Sequence, residues 1–288
     1  MIRQYIIPFI PTKRLRKLLL NSVNRVFGKM PIGEYYHIVS LRGGLKIKVD
    51  IGEYIGSELY YFKEFEGDTY ESIRALMIKG KCFFDIGGNI GLISLMVNQI
   101  CSGNVDIHIF EPAPDNFELL KSNIEMNGMD NVVLNNVAVS SEDNVTLRMH
   151  IYEDQAYNSV YMLNRVPFKS IVEVPALSID GYIEKQGIRP NTIELMKIDV
   201  EGYEYNVLKG ASRLLTEYSP KILCEISHAN LIKYGLDPHD VICSLLPYGY
   251  KCYVYENRSF RDILSIKNCE LGYKYRNFIF SKEKIGLD

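Results

Sequence analysis

The sequence has no apolar run near the 18 or so residues that a membrane-crossing helix needs, which excludes an integral helical membrane protein. Glycine and proline, 21 and 11 of 288 residues, stay at background, so no collagen-like or proline-rich segment dominates. No internal repeat or low-complexity tract is present. The six cysteines (Cys82, Cys101, Cys224, Cys243, Cys252, Cys269) form neither a C-x-x-C pair nor a Cys/His cluster of zinc spacing. Cys82 and Cys224 sit in apolar strand-like runs as small buried hydrophobes, and the expectation is a reduced, cytosolic protein. No secretory leader is expected. Ile2–Ile10 is short, is interrupted by Gln4 and Pro8, and lacks a small-residue cleavage site. Neither charge sign is in excess: 33 bases face 35 acids, a formal −2, which gives no global reason to bind nucleic acid. What is present is 47% apolar content, enough for a sizeable core, in a length suited to one large domain or a domain with an appendage.

The neutrality conceals an asymmetry. Arg3, Lys13, Arg14, Arg16, Lys17, Arg25 and Lys29 fall within the first thirty residues, which hold no acid. The remainder therefore carries 26 bases against 35 acids. From Thr12 onward, Leu15, Leu18, Leu19, Val23, Val26 and Phe27 recur at helical steps and form one stripe, with the bases mostly off it. Such a helix either lies on an anionic membrane surface or packs its stripe on the main domain.

Beyond residue 70, short β-rich runs alternate with helical segments. Cys82–Ile86, Val105–Phe110, Val132–Val137, Ile193–Asp199 and Lys221–Glu225 read as strands. Leu92–Ile100, Pro114–Asn127, Tyr203–Leu215 and a segment from Ser178 to about Gln186 read as helices. Asp237–Pro238 is a cap-plus-N1 start for a helix to about Leu246. Strands near Lys251–Tyr255 and Asn277–Ser281 close the chain. Residues 138–176 are irregular, with antiparallel-type segments such as Val145–Ile151. The alternation predicts a parallel sheet with helices on both faces and a ligand site at the carboxyl ends of its strands.

The first strand runs into Asp85-Ile86-Gly87-Gly88-Asn89-Ile90-Gly91. A dinucleotide turn would read G-x-G-x-x-G and would repel a carboxylate beside the pyrophosphate. Here Asn89 holds the middle glycine position and Asp85 the edge of the turn, which suits a cationic cofactor without phosphates. S-adenosylmethionine, a sulfonium, has that chemistry. Gly87, Gly88 and Gly91 are expected to let backbone approach the ligand. The second strand ends in Phe110-Glu111-Pro112, and Glu111 lies 24 residues after Gly87, the spacing of an acid that accepts from ribose hydroxyls. Asn135, Asn136, Val137 and Ala138, at the third strand end, would neighbour an adenine.

The next two strand ends hold acids. Lys197-Ile198-Asp199-Val200-Glu201-Gly202-Tyr203-Glu204 puts Asp199 and Glu201 after one strand; Glu225 and His228 follow the other. Methyl transfer is an in-line displacement for which the protein aligns a nucleophile and removes its proton. His228 has the intrinsic pKa of a general base. Asp199 and Glu201 are suited to hold the hydroxyl, orient the base or ligate a divalent metal. Glu204 reads as a first-turn helix acid.

Asp85-Ile86-Gly87-Gly88-Asn89-Ile90-Gly91, Phe110-Glu111-Pro112 closed by Pro114, Asn123 and Asn127, Lys197 to Glu204, Val207-Leu208-Lys209-Gly210-Ala211 and Cys224-Glu225-Ile226 together resemble the FkbM family of S-adenosylmethionine-dependent methyltransferases over roughly residues 70–228. The resemblance implies a Rossmann-like seven-stranded methyltransferase sheet, mostly parallel with an antiparallel last strand, over residues 71–288. Residues 1–70 would be an N-terminal extension of a basic amphipathic helix plus short strands. It also implies O-methylation of a sugar hydroxyl in a glycan, glycolipid or nucleotide-linked precursor, with S-adenosyl-L-homocysteine as product. By position, Asp85, Gly87, Gly88, Asn89, Gly91, Glu111, Pro112, Asn136, Val137, Ala138 and Asp199 would face the cofactor, and Asp199, Glu201, Glu225 and His228 the acceptor. The alternatives are a non-sugar natural product as acceptor or a non-catalytic cofactor-binding protein. A nucleic-acid N-methyltransferase lacks its N/D-P-P-Y/F segment here. Tyr152, Tyr157, Asn158, Tyr161 and Arg165, within 138–176, would cover an acceptor. The expected location is cytoplasmic; contact of residues 1–30 with the inner membrane face is the alternative to their packing on the domain.

Overall fold

The computed structural model describes residues 10, 12–27, 29–63, 67–160, 162, 167–232, 235–263 and 277–285. Tyr161, Arg165, Cys269 and the Ile2–Ile10 stretch up to Phe9 lie outside them, as does the Phe27 side chain.

Helix α1 (Lys13–Phe27) precedes a hairpin of β1 (Tyr36–Ser40) and β2 (Lys46–Asp50). Helices α2 (Tyr54–Phe62) and α3 (Gly67–Leu76) lead into β3 (Cys82–Ile86). Then come α4 (Leu92–Ile100), β4 (Asp106–Phe110), α5 (Pro114–Met126) and β5 (Val132–Asn135). The insertion holds β6 (Ala138–Val139), β7 (Val145–Tyr152) and β8 (Phe168–Leu177). It is followed by α6 (Ile179–Gln186), β9 (Ile193–Ile198), α7 (Glu204–Lys209), α8 (Ser212–Glu217), β10 (Lys221–Glu225), α9 (His228–Leu231) and α10 (Pro238–Leu245). Strands β11 (Lys251–Glu256), β12 (Ser259–Asp262) and β13 (Asn277–Ser281) complete the described chain.

The main sheet has the order β12-β11-β13-β10-β9-β3-β4-β5. Strands β5, β4, β3, β9 and β10 are mutually parallel, and β13 runs antiparallel between β10 and β11. This is the seven-stranded methyltransferase order, lengthened at one edge by β12, which the sequence reading did not include. The order reverses between β3 and β9, so the ligand crevice is expected at their carboxyl ends. Side chains alternate across β3: Phe84 joins a core with Met196, Cys224, Phe278 and α6, α7, α8 and α10, while Phe83 joins a second with Ile107, Leu195 and α3, α4 and α5. All five residues of β3 are buried, as a central strand covered on both faces requires.

The structure departs locally from the sequence reading at three places. The segment read as one helix from Tyr203 to Leu215 breaks into α7 and α8 around Gly210, where a Cβ would sit 2.0 Å from the Ser140 carbonyl oxygen. Helix α2, rich in Tyr and Phe, carried a strand-like composition; its Gly56 crosses β2 so closely that a Cβ would lie 1.8 Å from the Asp50 carbonyl oxygen. The third strand stops at Asn135, and β6 leaves to pair with β8 in the separate sheet β6-β8-β7. Elsewhere the local signals hold. Ser178 Oγ accepts from Gly181 N at 2.9 Å, and Asp237 forms a capping box with Asp240. Cys82, Cys101, Cys224, Cys243 and Cys252 are free thiols. Among the described residues no helix is long and apolar enough to cross a membrane.

The N-terminal hairpin is bound to the sheet domain by two asparagines one turn apart on α5 and at its end. Asn123 Oδ1 accepts from Lys48 N at 2.7 Å, and its Nδ2 donates to the Lys48 and Ile90 carbonyls. Asn127 bonds Lys46 N and O in the same way, so two amide side chains complete the outer edge of β2. Replacing the fully buried Asn123 by alanine strands the Lys48 amide and two carbonyls. Asn123→Ala is expected to lower unfolding free energy by about 2–3 kcal/mol and to speed amide exchange at Lys48. An unchanged urea midpoint would mean that the hairpin unfolds separately from the sheet.

Candidate active site at the sheet switch point

Two cavities meet above the β3–β9 junction. The larger, about 800 Å³, is lined by Gly87, Gly88 and Asn89 of the first turn, by Lys197, Asp199 and Glu201, and by Glu225, Ser227 and Asn230 after β10. Tyr54, Tyr157, Tyr255, Arg258 and Asn277 form its outer wall. The smaller, about 60 Å³, lies between Glu111, Pro112, Val137, Ala138 and Tyr203 under the turn 155–157. Gly87, Asn89, Ala156, Asp199 and Glu201 line both, so the two acids stand where the cavities join.

The sequence explains how the turns reach one another. Lys197 lies in register beside Asp85 on the neighbouring strand, a lysine within the buried run Leu195–Ile198. Its Nζ is 3.1 Å from Asp199 Oδ2, 3.7 Å from Asp85 Oδ1 and donates to the Gly87 carbonyl at 3.0 Å. Asp85 is wholly buried and accepts from Ser94 Oγ at 2.6 Å; burial pushes its pKa up, against the pull of Lys197 and Ser94. The cation that Asp85 faces is therefore a side chain of this protein, and Asp85 lines neither cavity. This corrects the expectation that it meets the cofactor directly.

Gly87 and Gly88 line the large cavity, and packing inside the protein gives the glycines a second reason to be there. A Cβ on Gly87 would lie 1.8 Å from the Asp199 carbonyl oxygen, on Gly88 2.2 Å from Ile109 Cγ2, and on Gly91 2.8 Å from Leu120 Cδ1. Close packing of the turn on β9, β4 and α5 demands all three, whatever binds outside. Gly91 starts α4 and lines neither cavity. Asn89, at φ 48°, takes the left-handed conformation that asparagine tolerates and donates its N–H to Glu111 Oε2 at 2.8 Å.

Glu111 also accepts from Ala113 N at 2.9 Å, and burial raises its pKa to about 7 against these two bonds. Asn136 is occupied beneath the site, donating to the Glu111 carbonyl at 2.8 Å, while Val137 and Ala138 reach the small cavity. Glu201 sits at φ 54°, a strained conformation for a residue with a Cβ, with its Oε2 accepting from Asn230 Nδ2 at 2.7 Å. Glu225 lines the large cavity. His228 does not line either one: it opens α9 with its ring 3.8 Å from Asp237 at the start of α10. Among the described residues no group of three or more His, Cys, Asp or Glu side chains is spaced to hold a metal ion.

Sequence reasoning gave no role to Lys197 or Asn230. The lysine's signal was its position in a buried strand between two carboxylate-bearing strand ends. From the insertion, Tyr157 lines the large cavity and Asn158 the small one, while Tyr152 is 1% exposed and belongs to the core. The turn between them is tied down by Asp154, which accepts from Tyr54 N and Ala156 N, and by Ser159 Oγ donating to the Glu201 carbonyl.

Glu204 accepts from Gly202 N at 2.9 Å and is buried at the start of α7; burial raises its pKa to about 8. Burial likewise raises Glu53 to about 8. Between the ordinary glutamate value and pH 7–8 these three glutamates bind protons in the folded chain that the unfolded chain has released. Stability should therefore fall as pH rises through that interval, with the buried His108, its pKa lowered, opposing the trend at the acid end. Thermal unfolding from pH 5.5 to 8.5 is expected to show this slope, and Glu204→Gln to flatten it. An unaltered slope in that variant would contradict the assignment. Lys197→Met, which leaves Asp85 and Asp199 without their cation, is expected to cost about 3 kcal/mol in a denaturant titration.

Residues 85–275 match the profile described as the Methyltransferase FkbM domain. The chain is 28% identical over 188 residues to the hexuronic acid methyltransferase AglP of Haloferax volcanii, covering 64% of this chain and 70% of that protein. It is 30% identical over 196 residues to the 31-O-demethyl-FK506 methyltransferase FkbM of Streptomyces tacrolimicus, covering 58% and 72%. A solved methyltransferase FkbM from Methylobacillus flagellatus KT aligns at TM-score 0.47 and 16% identity over 77% of this chain. This chain spans about half of that one, at 49%. The profile match begins at the acid beneath the first glycine turn and runs across the switch point into the segment before β13; the chain belongs to the FkbM methyltransferase family.

Proposed function

We propose that this protein transfers a methyl group from S-adenosylmethionine to a hydroxyl of a sugar in a glycan, glycolipid or nucleotide-linked precursor. The observation that carries the reading is the junction itself, where Asp199 and Glu201 line both cavities. The small cavity offers an acceptor for ribose hydroxyls and apolar walls for an adenine. Glu111 retains acceptor lone pairs beyond the two it gives to Asn89 and Ala113, and Val137, Ala138 and Pro112 supply apolar walls. When bound, S-adenosylmethionine supplies a methyl group already attached to a sulfonium leaving group. The chain has then to seat the acceptor hydroxyl and take its proton.

Glu201 and Asp199 are the acids positioned to do so. Asn230 orients the first and Lys197 the second, which lowers the cost of holding either in a productive pose. Glu225 lies farther along the large cavity and is suited to hold a second hydroxyl of the acceptor. His228 has no part in this scheme. Tyr54, Tyr157 and Tyr255 on the outer wall have the faces that sugars stack on, and the named activity of AglP on hexuronic acid supports a sugar acceptor. The named activity of FkbM on 31-O-demethyl-FK506 supports methylation at oxygen and keeps a non-sugar natural product as the second reading.

Titration calorimetry with S-adenosylhomocysteine tests the donor side, and turnover tests the acids. Glu111→Ala is expected to weaken binding roughly 10- to 100-fold, the range for lost hydrogen bonds to a charged acceptor. Glu201→Gln keeps the Asn230 bond and should bind within about threefold of the parent while losing roughly 10²- to 10⁴-fold in turnover. Absence of binding by the parent protein would overturn the proposal. Full turnover in Glu201→Gln would remove Glu201 from it.

A further inference from the structure

Helix α1 divides its apolar arc into two strips. Leu20 and Val23 pack on Tyr61 and Phe62 of α2, and Arg16 Nη1 donates to the Tyr61 carbonyl at 2.6 Å. Leu15, Leu18, Leu19 and Val26 instead remain 47%, 57%, 38% and 71% exposed. At 3.6 residues per turn these four share one strip beside the packed one, and Arg14 and Arg25 run along its far border. A helix of an ordinary globular domain turns such a strip inward. Three leucines and a valine facing outward between a row of bases and the protein body have the pattern of an interfacial helix.

The place of α1 in the fold gives the strip a use. Helix α2, on which it rests, lines the large cavity with Tyr54, Ile55, Glu58 and Leu59. Lys63, just past the end of α2, lines the same cavity and lies near α1: burial lowers its pKa, and the Arg16 charge lowers it further. The exposed strip therefore belongs to the structure that borders the cavity rim. Charge settles the occupant. The first thirty residues hold seven bases and no acid, and the rest carries 26 bases against 35 acids. An anionic surface attracts the helix and repels the domain behind it, which favours a single orientation.

We propose that α1 seats this protein on an anionic lipid bilayer, with Leu15, Leu18, Leu19 and Val26 in the interfacial zone and Arg14 and Arg25 against lipid phosphates. The large cavity then opens beside the membrane, where it takes an acceptor carried on a lipid. That last clause rests on the proposed reaction; the docking does not.

The test is co-sedimentation of the full chain with phosphatidylcholine vesicles, neutral or doped with phosphatidylglycerol, alongside calorimetry with S-adenosylhomocysteine on the same samples. Retention is expected to be at least roughly tenfold greater on doped vesicles and to fall with added salt. The exposed double variants Leu18→Gln/Val26→Gln and Arg14→Gln/Arg25→Gln should each reduce it roughly tenfold, with binding of the homocysteine product unchanged. Equal retention on neutral and doped vesicles, or retention unaltered in both variants, overturns the docking. A concentration-dependent dimer lost in the same variants, without vesicle retention, assigns the strip to a second copy and also overturns it. Vesicle retention with no binding of the homocysteine product leaves the docking supported and removes the reaction reading instead.

Discussion

A single buried ammonium organises the switch point. Lys197 stands between two carboxylates that would otherwise repel each other, Asp85 beneath the first turn and Asp199 beside the second, and it also holds the Gly87 carbonyl. Lys197 and Asp85 are buried and Asp199 is partly exposed at the cavity junction; a buried ion pair is favourable only when its charges are compensated, so the arrangement works as a unit. The turns after β3 and β9 are clamped together, and the close approach of Gly87 to the Asp199 backbone follows from that clamp. Glu111 then fastens the first turn to the second strand end through Asn89. The crevice is a wall of fixed backbone, with Asp199 and Glu201 displayed where two cavities meet.

The architecture was legible in the sequence wherever period and punctuation agreed. Buried strands such as Cys82–Ile86 and caps such as Ser178 and Asp237 are local signals, and they hold. Helix α2 was not legible, because its aromatic content resembles a strand and the reason for Gly56 lies in β2, which it crosses. The break at Gly210 is of the same kind, since it depends on Ser140, seventy residues earlier in the chain. Packing between elements sets these features: between sequence neighbours at Gly56 and across seventy residues at Gly210.

The candidate site shows the same division. The acids at the strand ends could be located from spacing alone, but what each one faces could not. Asp85 was matched to a cationic ligand and meets Lys197. Gly87 and Gly88 line the large cavity, but what demands a glycine at 87, 88 and 91 is the approach of Asp199, Ile109 and Leu120. His228 has the chemistry of a base, yet its helix turns it toward Asp237 and away from the cavities. In each case residue type gave the chemistry, and only packing gave the partner. The basic leader illustrates the converse: its stripe was read as packing on the domain or on a membrane, and the helix has one strip for the first and a second strip left exposed.

The central claim is that the Asp199–Glu201 junction delivers a methyl group to oxygen. It is tested most directly by supplying S-adenosylmethionine labelled with ¹³C in its methyl group together with hydroxyl-bearing glycan and glycolipid fractions, and following the label by NMR. The account predicts a methoxy carbon attached to a sugar ring. Label arriving on nitrogen or carbon, or on no acceptor from any fraction, would contradict it.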